Sequence, residues 1–74
     1  MKYVLVKTTY YDRKSEHTGY GMAAIEREGR HIVVLKSASD MSTDREKVED
    51  LIGLCNRYGR ELVHFDDIVE DFMT

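Results

Sequence analysis

No proline, a single cysteine and only five glycines occur among the 74 residues of this chain. Without proline or a low-complexity run, proline-rich spacers and repetitive linkers are excluded. One thiol cannot form an internal disulfide framework. The chain therefore has no covalent staple, although folding at this size hides only about 60% of the surface the unfolded form exposes. Long apolar runs are missing too. Charge interrupts the opening segment after the four apolar residues Tyr3–Val6, too few for a signal peptide or a membrane span. No G-x-S-x-G, H-E-x-x-H, phosphate-loop or paired-cysteine zinc pattern is present. What is there, 42% apolar and 34% charged residues, is globular composition. The expectation is one domain over residues 1–74, reduced and cytoplasmic, with no cofactor, no membrane contact and no enzymatic activity.

Charge is unevenly spread. Positions 1–37 hold seven basic and four acidic residues, a net +3, whereas positions 38–74 hold four basic and ten acidic ones, a net −6. Halves of opposite sign can meet within one molecule or between two. The basic half has the composition of strands: Tyr3-Val4-Leu5-Val6-Lys7-Thr8-Thr9-Tyr10 is nearly all β-branched or aromatic. The polar stretch Asp12–Gly19 reads as a loop. Met22–Glu26 would suit a helix by propensity, but Glu28-Gly29-Arg30 runs directly into Ile32-Val33-Val34-Leu35, which reads as a hairpin turn. Strands are expected at about 2–10, 20–28 and 31–38.

The acidic half has the spacing of helices. Thr43-Asp44-Arg45-Glu46 fits a capping box with Thr43 as the cap. Val48, Leu51, Ile52 and Cys55 then fall at i, i+3, i+4 and i+7, and Leu54 and Tyr58 widen that stripe. Gly59 stands where a left-handed cap ends such a helix. Phe65, Ile68, Val69 and Phe72 repeat the spacing, with Asp66, Asp67, Glu70 and Asp71 opposite. Helices are expected at about 43–58 and 63–73. The fold class is α+β, a three-stranded antiparallel β-meander followed by two α-helices packed on one face. Val4-Leu5-Val6 and Ile32–Leu35 are apolar at consecutive positions, hence on both faces of the sheet, and two short helices cover only one.

Several patterns invite a chemical reading. Gly19-Tyr20-Gly21-Met22-Ala23-Ala24 matches the dinucleotide fingerprint G-x-G-x-x-A, with Asp40 at the distance of a ribose-binding acid. The context is wrong, because a crossover helix and a larger parallel sheet are required; the glycines are expected to ease entry into a strand. His64, Asp67 and Asp71 follow one helix flank at i, i+3 and i+7, an arrangement able to hold a divalent metal, though acidic helix faces are common. Cys55 lies mid-stripe, where a cysteine acts as a small hydrophobe. Tyr3, Tyr10, Tyr11 and Tyr20 with Lys2, Lys7, Arg13 and Lys14 compose a surface that could stack bases and neutralise phosphate, against an overall pI of 5.5.

Tyr20-Gly21-Met22, Met41-Ser42-Thr43-Asp44, Cys55-Asn56 and above all His64–Phe72 resemble a family of small uncharacterised proteins, a domain of unknown function from clostridial and related Firmicutes. There the closing segment runs His-Leu-x-Asp-Val-Val-Glu-Asp-Phe; here Phe65 replaces the leucine and keeps an apolar anchor. The resemblance covers Tyr3 to Phe72 and implies a bacterial, cytoplasmic protein, but no reaction.

The leading expectation is a non-enzymatic interaction or regulatory module, homodimeric through the uncovered sheet face, with self-association or another protein as partner. A single-stranded nucleic acid binder using the tyrosine-rich basic sheet is the disfavoured alternative. A metal-binding protein at His64, Asp67 and Asp71 is the third.

Overall fold

A computed structural model describes all of residues 1–74. Strands β1 (Lys2–Asp12), β2 (Ser15–Glu28) and β3 (His31–Ser42) form an antiparallel sheet in chain order. Helix α1 (Arg45–Arg57), a 3₁₀ turn at Leu62–His64 and helix α2 (Phe65–Met73) complete the fold. The expected α+β meander with two trailing helices is the architecture found. The molecule measures 41 × 31 × 18 Å. Its short dimension holds one sheet and one helix layer of about 10–12 Å, with no third layer.

The strands run longer than the composition suggests. Asp12–Gly19 is no loop. Arg13-Lys14 makes a two-residue turn with Arg13 at φ 51°, and Asp12 pairs with Ser15, Tyr11 with Glu16, and Tyr10 with His17. Polar side chains hid this arm from a reading based on burial, because ladder hydrogen bonds do not require an apolar face. Gly29-Arg30 turns β2 into β3 as expected, with Gly29 at φ 61°.

β3 also extends past its expected end, through an irregularity that places Ser39–Met41 opposite Gly21 alone. Asp40 takes φ 56° there, and Met41 drops its side chain into the core. The bulged backbone lies directly over β2: a Cβ on Gly21 would stand 1.9 Å from the Ala38 carbonyl oxygen. Gly19 and Gly21 thus allow close strand approach inside the sheet, rather than entry into it.

α1 starts one residue later than the expected box. Asp44, not Thr43, is the cap, and its carboxylate accepts from the Lys47 N–H at 3.4 Å while Ser42 Oγ accepts from the Asp44 N–H at 3.0 Å. The helix ends in a Schellman motif: the Arg60 N–H donates to the Cys55 carbonyl, the Gly59 N–H to that of Asn56, and Gly59 sits at φ 59°. The core joins Tyr3, Met22, Ala24 and Met41 of the sheet to Val48, Ile52 and Cys55 of α1 and Phe65 of α2. The stripe on α1 is narrower than expected, with Leu54 51% and Tyr58 63% exposed. α1 lies over β1 and β2 and α2 over β3, which leaves a shallow groove between the helices instead of a seam.

Candidate functional site

Side-chain alternation splits the sheet cleanly. Tyr3 pairs with Ala24 and Leu5 with Met22, and all four pack toward the helices. The intervening pairs, Lys2 with Ile25 and Val4 with Ala23, point to the other side. β3 continues that second face, since Val34 is opposite Ile25 and Ile32 is opposite Arg27. A register shift between Ala24 and Ile25 makes this possible: Leu35 is the extra residue that brings Val34 onto the open side while Lys36 stays on the helix side. There Lys36 Nζ donates to Asp66 of α2 at 2.7 Å, an exposed pair worth little in itself.

The open face is therefore apolar and bare. Ile32 is 66% and Val34 59% exposed, beside half-buried Val4, Val6 and Ile25. Consecutive apolar residues in β1 and β3 signalled this arrangement; which residue faced which way was not legible. The signal lay in the pairing, fixed by the bulge at Leu35, and a bulge has no signature in spacing alone.

The β1 edge is closed at one point by the far end of α1. Asn56 Nδ2 donates to the Tyr3 carbonyl at 2.9 Å and Asn56 Oδ1 accepts from the Tyr3 N–H at 2.8 Å, so one side chain takes the place of a neighbouring strand. Beside it Tyr3 stacks on Phe65 with ring centroids 6.3 Å apart, and its hydroxyl donates to the Arg60 carbonyl at 2.8 Å. Burial, with Cys55 close by, pushes the Tyr3 phenol above its ordinary range. The Cys55 thiol is pushed up as well, by burial that outweighs the pull of Arg60, so it remains a thiol. Sequence reasoning noticed Cys55-Asn56 only as part of a resemblance and missed the clasp.

The tyrosine surface does not assemble as expected. Tyr3 lies in the core and Tyr20 packs against it, both on the helix side. Tyr10 stacks on His17 at 5.3 Å between centroids and Tyr11 is 79% exposed, and these two share only the hairpin arm with Arg13 and Lys14. His64 closes the 3₁₀ turn, while Asp67 and Asp71 lie along exposed positions of α2. No group of three or more histidine, cysteine, aspartate or glutamate side chains converges to hold a metal ion. Gly19-Tyr20-Gly21 is strand rather than a turn into a helix, so the dinucleotide fingerprint has no phosphate-binding helix terminus behind it. No helix is long and apolar enough to cross a membrane.

No curated protein and no solved structure matches the chain. A family model does, over residues 1–74: a family of unknown function, DUF6514.

Proposed function

The chain belongs to the DUF6514 family, and from its surface we propose that it is a non-enzymatic interaction module that pairs with a second copy through the open face of its sheet. The observation that carries this reading is the bare apolar face, with Ile32 and Val34 more than half exposed and nothing of the chain's own lying over them. Fully burying one such side chain is worth about 1.5–3 kcal/mol. Ile32 and Val34 present most of their side chains for such burial, and half-buried Val4, Val6 and Ile25 complete a central cluster of the kind that drives association against its entropic cost. The same reading takes the protein to be bacterial, of clostridial or related origin, and cytoplasmic, where a lone buried thiol stays reduced.

Light scattering on a size-exclusion column tests it. The expected mass is that of two chains, and Val34→Lys, a change at an exposed position, is expected to give the mass of one without loss of helical or sheet signal. A single-chain mass for the unmodified protein, or an unchanged mass for the variant, refutes the pairing face. The hairpin arm favours one second reading. Exposed Tyr11 and stacked Tyr10 beside Arg13 and Lys14 are suited to single-stranded nucleic acid. Excess absorbance at 260 nm in the same peak, lost at high salt, is its signature.

A further inference from the structure

At the β2–β3 hairpin end, the open face runs into a shallow depression. Met1, Ile25 and Ile32 give it an apolar lining, and Lys2, Arg27 and Arg30 stand around it. All three cations are exposed, and none takes part in a salt bridge. The one carboxylate in the lining, Glu26, is held by the Met1 amino group at 3.2 Å. Arg27 is also tethered, its Nε donating to the Gly29 carbonyl at 3.3 Å, which leaves the terminal guanidinium nitrogens free to grip a carboxylate. Strand alternation produces this concentration of charge: in Ile25-Glu26-Arg27-Glu28 the side chains of Ile25 and Arg27 fall on the open face.

We propose that this depression seats an acidic amphipathic segment of a protein partner, with aliphatic side chains on Ile25 and Ile32 and carboxylates on Lys2, Arg27 and Arg30. Charge complementarity names the partner's sign, because three free cations around an aliphatic floor would repel a basic segment and leave a neutral one unpaired. Chemistry also sets peptide ahead of nucleic acid: no aromatic side chain lines the depression, so a base would find nothing to stack on. The site is at the end of the open face and shares Ile25 and Ile32 with the pairing patch, so a seated segment and a second copy compete for them, while every residue of the site belongs to one chain.

The test uses the full chain and a short fluorescein-labelled peptide of alternating glutamate and leucine, read by fluorescence anisotropy at low salt. A saturable rise is expected, absent for the matched lysine–leucine peptide. Reversing Arg27 and Arg30 (Arg27→Glu with Arg30→Glu) is expected to weaken binding at least about tenfold, since two charge-assisted contacts are replaced by repulsion. Lys2→Glu, on a different strand, should weaken it independently. Val34→Lys, outside the depression, should reduce the mass to that of one chain and preserve or strengthen peptide binding by removing the competing copy, whereas the charge-reversal variants should lose peptide binding at the parent's mass, so the two proposals fail separately. No saturable rise, equal binding of the lysine peptide, or indifference to charge reversal overturns the site. So does a single-stranded oligonucleotide that binds where the glutamate peptide does not.

Discussion

Replacing Asn56 by alanine tests whether the clasp on Tyr3 holds the two ends of the core together. The change removes two hydrogen bonds, of 2.8 and 2.9 Å, and leaves the outward N–H and carbonyl of Tyr3 without protein partners. Each bond contributes about 0.5–1.5 kcal/mol net. The site is partly buried, so water replaces them incompletely, and the sum is about 2 kcal/mol. For a domain of this size each kcal/mol moves the midpoint by about 4–8 °C. Circular dichroism should therefore show Asn56→Ala melting roughly 8–16 °C below the parent, with the urea slope unchanged. Asn56→Asp separates bonding from bulk: its carboxylate still accepts from the Tyr3 N–H but faces the Tyr3 carbonyl with no proton to offer, so it should not restore stability. A loss under about 0.5 kcal/mol for Asn56→Ala, in the range of an ordinary surface change, would refute the clasp. Full stability in Asn56→Asp would show that the carbonyl needs no donor.

Gly21→Ala is expected to cost about 3 kcal/mol or more, because the new methyl meets backbone at 1.9 Å and the bulged β3 must move; loss of a cooperative melting transition would register it. Stability is also expected to fall in alkali. Both Tyr3 and Cys55 have folded pKa values raised above their ordinary ones, so their contribution is fully present below the unfolded values of 10.0 for Tyr3 and 9.0 for Cys55 and is lost as pH rises through the folded values. Urea midpoints should thus decline from about pH 9 upward, and Cys55→Ala should delay the onset of that decline; a flat profile to pH 11 would contradict the burial of both groups.

Order and type of elements were legible because burial writes periodicity into the chain. Val48, Ile52 and Cys55 point down from α1, and Phe65, Ile68, Val69 and Phe72 mark α2. The features that were not legible depend on contacts distant in sequence or on backbone pairing without burial. The arm from Thr8 to Gly19 carries no apolar alternation, yet its ladder is continuous. Leu54 and Tyr58 sit at helical spacing from the stripe, but α1 and α2 lie over different strands and both residues stay exposed. The shift of the cap from Thr43 to Asp44 is a choice between two good capping residues one step apart, decided by Ser42, whose hydroxyl accepts the Asp44 N–H. For the candidate surface, the existence of an uncovered apolar face was foreseeable, whereas the cation-rimmed depression at its end depends on which strand residues share a side.

The clasp has a consequence for how the chain comes to be folded during synthesis. Tyr3 is among the first residues made, but Asn56 and Arg60, which hold it, follow 53 and 57 positions later. At about 5–20 residues per second, the first strand waits roughly 3–10 s for its lock. All three strands are synthesised before either helix, so the side of the sheet that packs on α1 and α2 has no cover from the chain until those helices are made. The side that α1 and α2 later cover is shielded only after their synthesis, and the other stays available to a second copy throughout.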